Sequence, residues 1–379
     1  MTEIVFWASV VLLLHPYVTY PLSIALLGAL RPRPVRRERH EPLVSVIIPA
    51  HNEARWISAT VLNKLGQDYP RDRMEILVVS DGSVDGTDER VAAFADRGVR
   101  LLRQEPRQGK AEALNRAVRE ARGEILVFSD ANSLFAEDAV RRLVENFADP
   151  DVGYVTGRLE YGAREGAVSG EGSRGYMGFE NGLRVLETRF HSIIGVNGGV
   201  DAMRRELYVD VAANMISDFL LPLEALRRGR RVVFDPRARS SEEANTDLRP
   251  EFRMRVRVAL RALQALQARR ELLAPWKHLR IAYCLWSHKV LRYTNVLLLP
   301  LPLVASGLLA AHSAFYGALF LLQAAAYLVG LAGLFPLPSG LRRFASLPAY
   351  FLMTSAAFAL AMLKFFRGEA MATWQPRSG

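Results

Sequence analysis

Residues 124–133, Glu-Ile-Leu-Val-Phe-Ser-Asp-Ala-Asn-Ser, decide the fold class that this chain is expected to adopt. The four apolar residues at 125–128 are typical of a strand buried on both faces of a parallel sheet. In open α/β sheets, ligands bind at the carboxyl ends of the strands, so Asp130 and Asn132 are placed to offer oxygen atoms to a cation or a sugar hydroxyl. Ser, Asp and Asn also form ordinary turns, so this stretch alone does not choose between a site and a turn.

Short apolar runs alternate with amphipathic stretches on both sides of this segment, over residues 43–236. Strands are predicted at 44–48, 76–79, 125–128 and 232–234, with weaker candidates at 99–102 and 152–156. Helices are predicted at 54–66, 88–95, 111–121 and 138–147. Strands and helices that alternate at this spacing predict an α/β domain with a mainly parallel sheet and helices on both faces.

The composition limits the class of protein. With 379 residues, of which 50% are hydrophobic and 23% charged, the chain is long enough for a large core and more than one structural unit. The net charge of +10 comes with arginine clusters beside the apolar segments, which favours an anionic membrane surface or a phosphate-bearing ligand. No zinc-finger or RNA-binding signature is present, so no nucleic-acid partner is expected. The single cysteine, Cys284, excludes an internal disulfide and a cysteine-based zinc site.

Apolar segments at both ends predict a membrane protein. Residues 4–30 are long enough to cross a bilayer. An uncleaved anchor is favoured over a signal peptide, because no basic residue precedes the segment and no small-residue cleavage site follows it. Five arginines between Arg31 and Arg39 come next, so the part that follows is expected in the cytoplasm. Further spans are predicted at 291–309, 314–335 and 347–366.

Two other stretches have patterns of their own. Residues 162–182 contain seven glycines and are expected to form a mobile lid or a disordered insert. The lid is favoured because a helical pattern resumes at 179–190. Residues 251–267 place an apolar stripe beside a row of arginines, which fits a helix lying in the membrane interface. An amphipathic helix packed on the soluble domain fits the same periodicity.

Acidic residues follow three of the predicted strands. Glu53, Asp81 and Asp130 are expected to converge, because the carboxyl ends of parallel strands meet at one edge of the sheet. Three acids at one edge disfavour stability and suit a cation held together with a ribose or a sugar, so a binding site is favoured. Gln-Gly-Lys at 108–110 opens a predicted helix, where backbone N–H groups and Lys110 are able to face a phosphate. The chain has no P-loop motif.

Together these segments resemble a known family. Val-Ile-Ile-Pro-Ala-His-Asn-Glu at 46–53 is followed by Val-Ser-Asp-Gly-Ser-x-Asp-Gly-Thr at 79–87, Gly-Lys-x-x-Ala-Leu-Asn at 109–115 and Asp-Ala-Asn at 130–132. This order and spacing resemble an inverting family 2 glycosyltransferase with a GT-A fold, over about residues 43–234. The flanking apolar segments resemble those of the membrane-integrated members, such as polysaccharide synthases and ceramide glucosyltransferases. The resemblance implies a GT-A α/β fold with added transmembrane helices.

The resemblance also implies roles at the sheet edge. The nucleotide-sugar donor is expected to contact Ala50, Glu53, Asp81, Lys110 and Asp130. Asp81 would lie at the base or the ribose, with Lys110 near it. Asp130 and Asn132 take the places of the family's Asp-x-Asp, which binds a divalent cation, Mg²⁺ or Mn²⁺. Asn132 departs from that pattern, since a neutral amide is a weaker ligand for a hard cation than a carboxylate.

The chemistry of transfer is expected to involve residues further along the chain. Asp218, in Ile-Ser-Asp-Phe at 216–219, resembles the catalytic base of the family's Thr-Glu-Asp motif, which takes the proton of the acceptor hydroxyl. From the residues alone, a helix N-cap explains Asp218 better. Asn197 and Gly198 resemble the acceptor-pocket loop. Arg257 matches the arginine of the Gln-x-x-Arg-Trp motif of processive members, while Val258 stands in the place of the tryptophan, which weakens the case for a long polysaccharide product.

The sequence therefore predicts a multi-pass protein of the inner or plasma membrane with a cytoplasmic catalytic domain. Its expected parts are an anchor with a basic linker at 1–40, a GT-A domain at 41–248, an amphipathic interfacial region at 249–280, and about three transmembrane helices at 281–379. The expected reaction moves a sugar from a nucleotide donor, expected to be UDP-linked, to a lipid or a membrane-associated glycan.

Three alternatives remain open from the sequence. The chain is alternatively a processive polysaccharide synthase coupled to export, with further export or assembly subunits as partners. It is alternatively a non-catalytic, membrane-tethered subunit that binds a nucleotide sugar, although an acid at each matched catalytic place argues against that. A nucleotidyltransferase fits the sheet but does not explain an acid at position 218.

Overall fold

Eight strands form one sheet in the part of the chain that the computed structural model describes, residues 1–162, 168–243, 248–335 and 337–369. They are β1 Val44–Ala50, β2 Met74–Asp81, β3 Val99–Gln104, β4 Ile125–Phe128, β5 Leu134–Phe135, β6 Val152–Gly162, β7 Asp201–Arg204 and β8 Arg231–Glu243. Their order across the sheet is β3-β2-β1-β4-β7-β6-β8-β5.

The α-helices of the described residues divide into a group around the sheet and a group at the two ends of the chain. Those around the sheet are α3 Ile57–Leu65, α4 Thr87–Ala92, α5 Lys110–Glu120, α6 Ala139–Glu145, α7 Val168–Phe190, α8 Ser217–Arg227 and α9 Leu248–Ala268. Those at the ends are α1 Thr2–Leu14, α2 Thr19–Leu30, α10 Pro275–Leu285, α11 Leu291–Leu298, α12 Pro300–Leu309, α13 Ala314–Ala332 and α14 Ser339–Phe366.

Strand β1 lies between two parallel neighbours at the centre of the sheet. It pairs with β2 and β4, and Ile47 is level with both Leu77 and Phe128. The carboxyl ends of these three strands therefore reach one edge, as predicted. Beyond β4 the sheet is mixed, because β7 runs antiparallel to β4 and β6 while β6 and β8 are parallel.

Helices cover both faces of the sheet. Val46 and Ile48 of β1 belong to a core shared with α3, α4 and α6. Ile47, between them, belongs to the core on the other face, shared with α5, α7, α8 and α9. This alternation follows from the two-residue period of a strand, whose successive side chains point to opposite faces. The predicted α/β sheet with helices on both faces is confirmed.

The glycine-rich stretch differs from its prediction. A helix begins at Val168 and runs through the region predicted as a lid to Phe190, while residues 163–167, with Gly166, lie outside the described residues. Glycine is a poor helix former, so tertiary contacts must support this helix. Tyr20 of α2 donates a 2.6 Å hydrogen bond to Glu187 of α7, which shows one such contact.

The amphipathic stretch predicted at 251–267 is confirmed as a helix, α9. Val256, Ala259, Leu260 and Leu266 are buried in the core beside α8 and α14. The apolar stripe therefore packs inside the protein, between the sheet domain and the C-terminal helices. A membrane-interface location of residues 249–280 stays a prediction.

In the part of the chain that the structure describes, two helices are long and apolar enough to cross a membrane, α13 and residues 344–366 of α14. The number rises to four if each of two bent pairs is one span. The pair α1 and α2 is bent by 56°, and the pair formed by residues 275–298 and 300–309 is bent by 44°. Pro16 lies in the first break and Pro300 follows the second, and proline interrupts helical hydrogen bonding at such positions. The N-terminal segment predicted as a span is thus two helices joined at a bend, which is either one broken span or a re-entrant loop.

Candidate active site

One cavity of about 1110 Å³ extends from the edge of the sheet into the group of C-terminal helices. Its sheet end is polar and is lined by Glu53, Lys110, Asp130, Asn132, Asp218 and Glu242. Its far end is largely apolar and is lined by Leu299, Ala326, Leu347, Phe351 and Phe358, among others. A single space therefore connects the predicted donor residues, the predicted base and a hydrophobic slot.

The loops that follow β1 and β2 are tied together, and this fixes Glu53. The backbone N–H of Glu53 donates to the Thr87 hydroxyl at 2.9 Å, and the N–H of Ala54 donates to Asp85 at 2.9 Å. Asn52, the residue before Glu53, has a φ of 54°, a region that asparagine tolerates better than most residues. Its side-chain oxygen accepts a 2.9 Å hydrogen bond from the N–H of Val84.

Glu53 lies among other acids, as the strand ends predicted. Burial raises the pKa of Glu53 to about 7, and the carboxylates of Asp130, Asp85 and Glu242 act in the same direction. Like charges held close together resist ionisation. The predicted convergence of Glu53 and Asp130 is therefore seen in the structure. This acidic corner of the cavity is suited to a ligand that brings positive charge or hydrogen-bond donors.

Asp81 reaches the same edge but points into the protein. It is fully buried and accepts hydrogen bonds from the Gln104 side chain at 2.7 Å and from the N–H groups of Gln108 and Gly109 at 2.8 and 2.9 Å. These bonds fix the loop that leads into α5 and so position Lys110. Neither Asp81 nor Ala50 lines the cavity, and their contact with a nucleotide stays a prediction.

Lys110 links the donor corner to the predicted base. Its ammonium lies 2.5 Å from a carboxylate oxygen of Asp130, at the start of α5. Burial works against its charge, but the carboxylates of Asp130 and Asp218 outweigh burial and raise the pKa of Lys110. Lys110 is therefore a fixed positive charge between these two acids, at a helix N-terminus that also favours an anion.

Asp218 lies in the first turn of α8 and does not cap the helix. Ile216 is the N-cap residue and makes no side-chain capping bond. The carboxylate accepts a 3.0 Å hydrogen bond from Ser217 and faces the cavity. Gly198 has a φ of +74°, and a Cβ there would lie 2.6 Å from an Asp218 oxygen. The N-cap explanation of Asp218 is wrong, and the glycine leaves room for the carboxylate beside the acceptor-like loop.

The predicted acceptor residues meet in the same cavity. Asn197 and Gly198 line it from the loop before β7, and Arg257 lines it from α9. The amide of Asn197 donates to the Gly157 carbonyl at 3.0 Å, which fixes this loop against β6. Val258, in the place of the family's tryptophan, also lines the cavity.

Two acids near the site were missed by sequence reasoning. Glu242 at the end of β8 is buried, accepts a hydrogen bond from the Ser133 hydroxyl and lies 2.7 Å from the position of a Cβ on Gly199. Asp201 at the start of β7 is buried, and burial, with the charge of Asp218, raises its pKa to about 7. Neither residue follows an apolar run that predicts a parallel strand end, so the pattern used for the other acids does not find them.

The oxygen atoms of Asp130 and Asn132 suit a hard divalent cation that is bound together with a ligand. Asp130 and Asn132 offer a carboxylate and an amide oxygen to the cavity, and the Asp130 side chain is 37% exposed. Oxygen ligands of this kind are preferred by Mg²⁺ and Mn²⁺. The described residues contain no group of three or more His, Cys, Asp or Glu arranged to hold a metal alone. A cation here needs ligand oxygens, such as those of a diphosphate, to complete its coordination.

Comparison with known proteins agrees with this geometry. Residues 45–210 match the family model described as Glycosyl transferase family 2. Glycosyltransferase AglE of Haloferax volcanii is 33% identical over 132 residues, which cover 34% of this chain and 43% of that protein. Poly-beta-1,6-N-acetyl-D-glucosamine synthase of Staphylococcus aureus is 26% identical over 202 residues, which cover 52% of this chain and 48% of the synthase. The matches thus span less than half the length of these two curated relatives.

A solved structure resembles the chain over nearly its whole length. The mannosyltransferase PcManGT from Pyrobaculum calidifontis, in complex with GDP-Man and Mn²⁺, is 27% identical with a TM-score of 0.73, covering 97% of this chain and 100% of that one. The predicted GT-A fold is confirmed, and the chain carries a family 2 glycosyltransferase domain.

Proposed function

We propose that this family 2 domain transfers a sugar from a nucleotide-sugar donor to a hydroxyl of a lipid or lipid-linked glycan, with inversion at the anomeric carbon. One observation carries the proposal: a single cavity joins Lys110 and Asp130 to Asp218 and continues into the apolar space between the C-terminal helices. The spans of α13 and α14 support a membrane location for the protein. An acceptor with a hydrocarbon chain matches such a cavity better than a soluble sugar does.

In the proposed reaction, Asp218 accepts the proton of the acceptor hydroxyl while that oxygen attacks the anomeric carbon. The bond between the anomeric carbon and the donor phosphate breaks on the opposite side, and its electron pair leaves with the nucleoside diphosphate. Lys110 stabilises the negative charge that develops on the leaving group. A divalent cation held by Asp130 and Asn132 would neutralise part of the same charge.

The identity of the nucleotide is the first open choice. The donor expected from the sequence is UDP-linked, whereas PcManGT was solved with GDP-Man. We therefore propose a nucleoside diphosphate sugar as the donor class, with UDP and GDP donors as the two candidates.

A processive polysaccharide synthase is the alternative favoured by a specific observation, the match to the Staphylococcus aureus synthase. Val258 argues against it, because an aliphatic side chain does not provide the stacking surface expected for a growing glycan. The length of the product decides between the two, since single transfer gives one added sugar per acceptor.

The test uses full-length protein in detergent, a panel of UDP- and GDP-sugars, membrane lipid extract, and Mg²⁺ or Mn²⁺ added or chelated. The expected result is consumption of one donor and appearance of a glycolipid that carries one added sugar. Donor binding without transfer to any lipid would instead support a non-catalytic binding subunit and would overturn the proposed activity.

A further inference from the structure

A band of basic side chains crosses the cavity between the acidic corner and the apolar helices. The lining contributed by α7, α9 and residues 286–299 contains six arginine and lysine residues and one acid, Glu180. The six are Arg184, Arg255, Arg257, Arg261, Lys289 and Arg292. Arg292 donates a hydrogen bond to Glu180, and Arg255 donates one to Glu251 at 2.8 Å. Among the described lining residues of these segments, basic side chains therefore outnumber acidic ones.

Two of these arginines are placed one helical turn apart. Arg257 and Arg261 both line the cavity from α9, and burial, followed by the charge of Arg257, lowers the pKa of Arg261. Like charges at this spacing on a helix disfavour each other. A ligand anion that reaches both side chains meets two positive charges at once, so the pair suits an anionic ligand.

Lys289 adds a third basic side chain to the lining, from a different part of the chain. It lies in a π-helical turn, Trp286–Val290, where the neighbouring His288 is hydrogen-bonded to Glu187 at 2.7 Å and to Glu180 at 3.2 Å. Turns of this kind are frequent at functional sites. Residues 275–298 also belong to a bent pair that is a candidate span, and a charged residue within a span marks a functional site by default.

The position of Lys289 relative to the predicted base can be read from one loop. A Cβ on Gly195 would lie 2.5 Å from the Lys289 ammonium, and a Cβ on Gly198 would lie 2.6 Å from the Asp218 carboxylate. These glycines are three positions apart in the sequence, so their Cα atoms are at most roughly 11 Å apart even in extended chain. The ammonium of Lys289 therefore lies close to the carboxylate of Asp218.

The presence of a base distinguishes two kinds of anionic acceptor. A phosphate oxygen that attacks the anomeric carbon carries no proton to remove, so an acceptor of this kind does not need Asp218 as a base. A hydroxyl does need a base. The arrangement thus fits an acceptor that presents a hydroxyl at Asp218 and an anion further towards the apolar slot.

We propose that the acceptor is a lipid in which a phosphate joins the accepting sugar to the hydrocarbon chain, and that Arg257, Arg261 and Lys289 bind this phosphate. This inference rests on the proposed function and specifies its acceptor. The hydrocarbon chain lies among Leu299 and the apolar lining residues of α13 and α14. The phosphate takes no part in bond making, since the hydroxyl oxygen bonds to the anomeric carbon, its proton passes to Asp218 and the nucleoside diphosphate leaves.

The test compares two synthetic acceptors that carry the same sugar and the same hydrocarbon chain. One has a phosphodiester between sugar and chain, and the other has an uncharged ether. Transfer and direct binding are measured for both, with the full-length protein in neutral detergent and again in vesicles with an anionic phospholipid. The variants are Lys289→Gln and Arg261→Gln, and Arg90→Gln on the exposed face of α4 is the matched control.

The protein is expected to prefer the phosphodiester acceptor by about tenfold or more in kcat/KM and in binding. Each band variant should bring that ratio close to one, while Arg90→Gln should keep it. A ratio does not change when a variant is only less active or less well folded. Equal use of both acceptors by the unsubstituted protein would overturn the inference and leave the proposed function standing.

Two further results are distinguishable from that one. If neither acceptor is glycosylated, the proposed function fails, and the binding ratio still decides whether the band recognises a lipid phosphate. If activity shows no linker preference but rises with anionic phospholipid, and Lys289→Gln removes that rise, the band binds a bilayer lipid and not the acceptor, which also overturns the inference.

Discussion

The ammonium of Lys110 lies 2.5 Å from a carboxylate oxygen of Asp130, at the point where α5 begins and β4 has just ended. The two residues come from different motifs that lie 20 positions apart in the sequence. Their contact places a positive charge where the donor diphosphate is proposed to leave. Asp81 supports this contact, because its carboxylate accepts hydrogen bonds from the N–H groups of the loop before Lys110.

Replacing Lys110 tests this position directly. Lys110→Gln is expected to lower kcat by about 100-fold or more, the usual effect of losing one group that stabilises charge in the transition state. Lys277→Gln, which removes an exposed lysine, is the control. Initial rates at saturating donor measure kcat for each protein. A kcat of Lys110→Gln within twofold of the unsubstituted value would remove Lys110 from the proposed chemistry.

Gly198 offers a test with a matched control in the same backbone conformation. Gly198→Ala places a Cβ 2.6 Å from an Asp218 oxygen, so the carboxylate must move and transfer should fall by at least about tenfold. Gly229 has the same φ of +74° and nothing within 4 Å of a Cβ, so Gly229→Ala carries only the backbone strain. Both variants are expected to lose about 1 kcal/mol of stability. Equal activity in the two variants would contradict the role given to the space beside Asp218.

The proposed metal site can be tested at Asn132, which takes the place of the second aspartate of the family's Asp-x-Asp motif. Asn132→Asp adds a charged oxygen ligand beside Asp130 and is expected to lower the Mn²⁺ concentration for half-maximal activity by about tenfold. Asp130→Asn is expected to raise it. Activity is titrated with Mn²⁺ after chelation, and identical titration curves for all three proteins would show that these residues do not hold the cation.

Glu224 predicts a dependence of stability on pH. Although burial opposes it, hydrogen bonds from Arg227, Arg228 and Arg269 lower the pKa of Glu224 from 4.5 to about 2. A carboxyl whose pKa is lowered by folding stabilises the protein above its unfolded pKa and loses this effect as pH falls through the folded pKa. Glu224→Gln should therefore cost on the order of 1–3 kcal/mol above pH 5.

The stability difference between Glu224→Gln and the unsubstituted protein should shrink as pH falls from about 4.5 to 2. Over this range Glu224 becomes protonated, so the unsubstituted protein loses the stabilisation that its carboxylate provides. Thermal unfolding of the full chain in detergent at several pH values measures it. Glu89→Gln, at an exposed position of α4, serves as the control. A Tm difference for Glu224→Gln that stays constant from pH 7 to pH 3 would contradict the pairing.

The sequence predicts the sheet and part of the site because the rules that apply are local. Buried parallel strands read as apolar runs, and their carboxyl ends meet, so Glu53 and Asp130 were expected together and are found together. The direction in which a strand-end side chain points is not local. Asp81 has the same sequence context as Asp130, yet it turns inwards, because the loop before α5 supplies two hydrogen bonds and Gln104 at the end of β3 supplies a third.

The remaining features depend on contacts between distant parts of the chain. Glu242 enters the site through β8, whose polar end has no apolar pattern, and Asp201 through an antiparallel strand of four residues. The helix at Val168–Phe190 forms despite its glycines, since contacts such as Tyr20 with Glu187 outweigh helix propensity. The cavity that joins Asp218 to the apolar slot depends on how α9 and α14 pack, and no periodicity shows that.

Transfer to a lipid acceptor by the unsubstituted protein, Asp218→Asn and Asp210→Asn, with donor binding measured in parallel, decides whether Asp218 is the base of an inverting transfer. Asp210 is an exposed acid paired with Arg119 at 3.5 Å, and it provides the matched control. We expect a product of inverted anomeric configuration from the unsubstituted protein and from Asp210→Asn. For Asp218→Asn we expect donor binding to remain and the transfer rate to fall by about 1,000-fold or more. Full transfer by Asp218→Asn, or a product of retained configuration, would contradict the proposed mechanism.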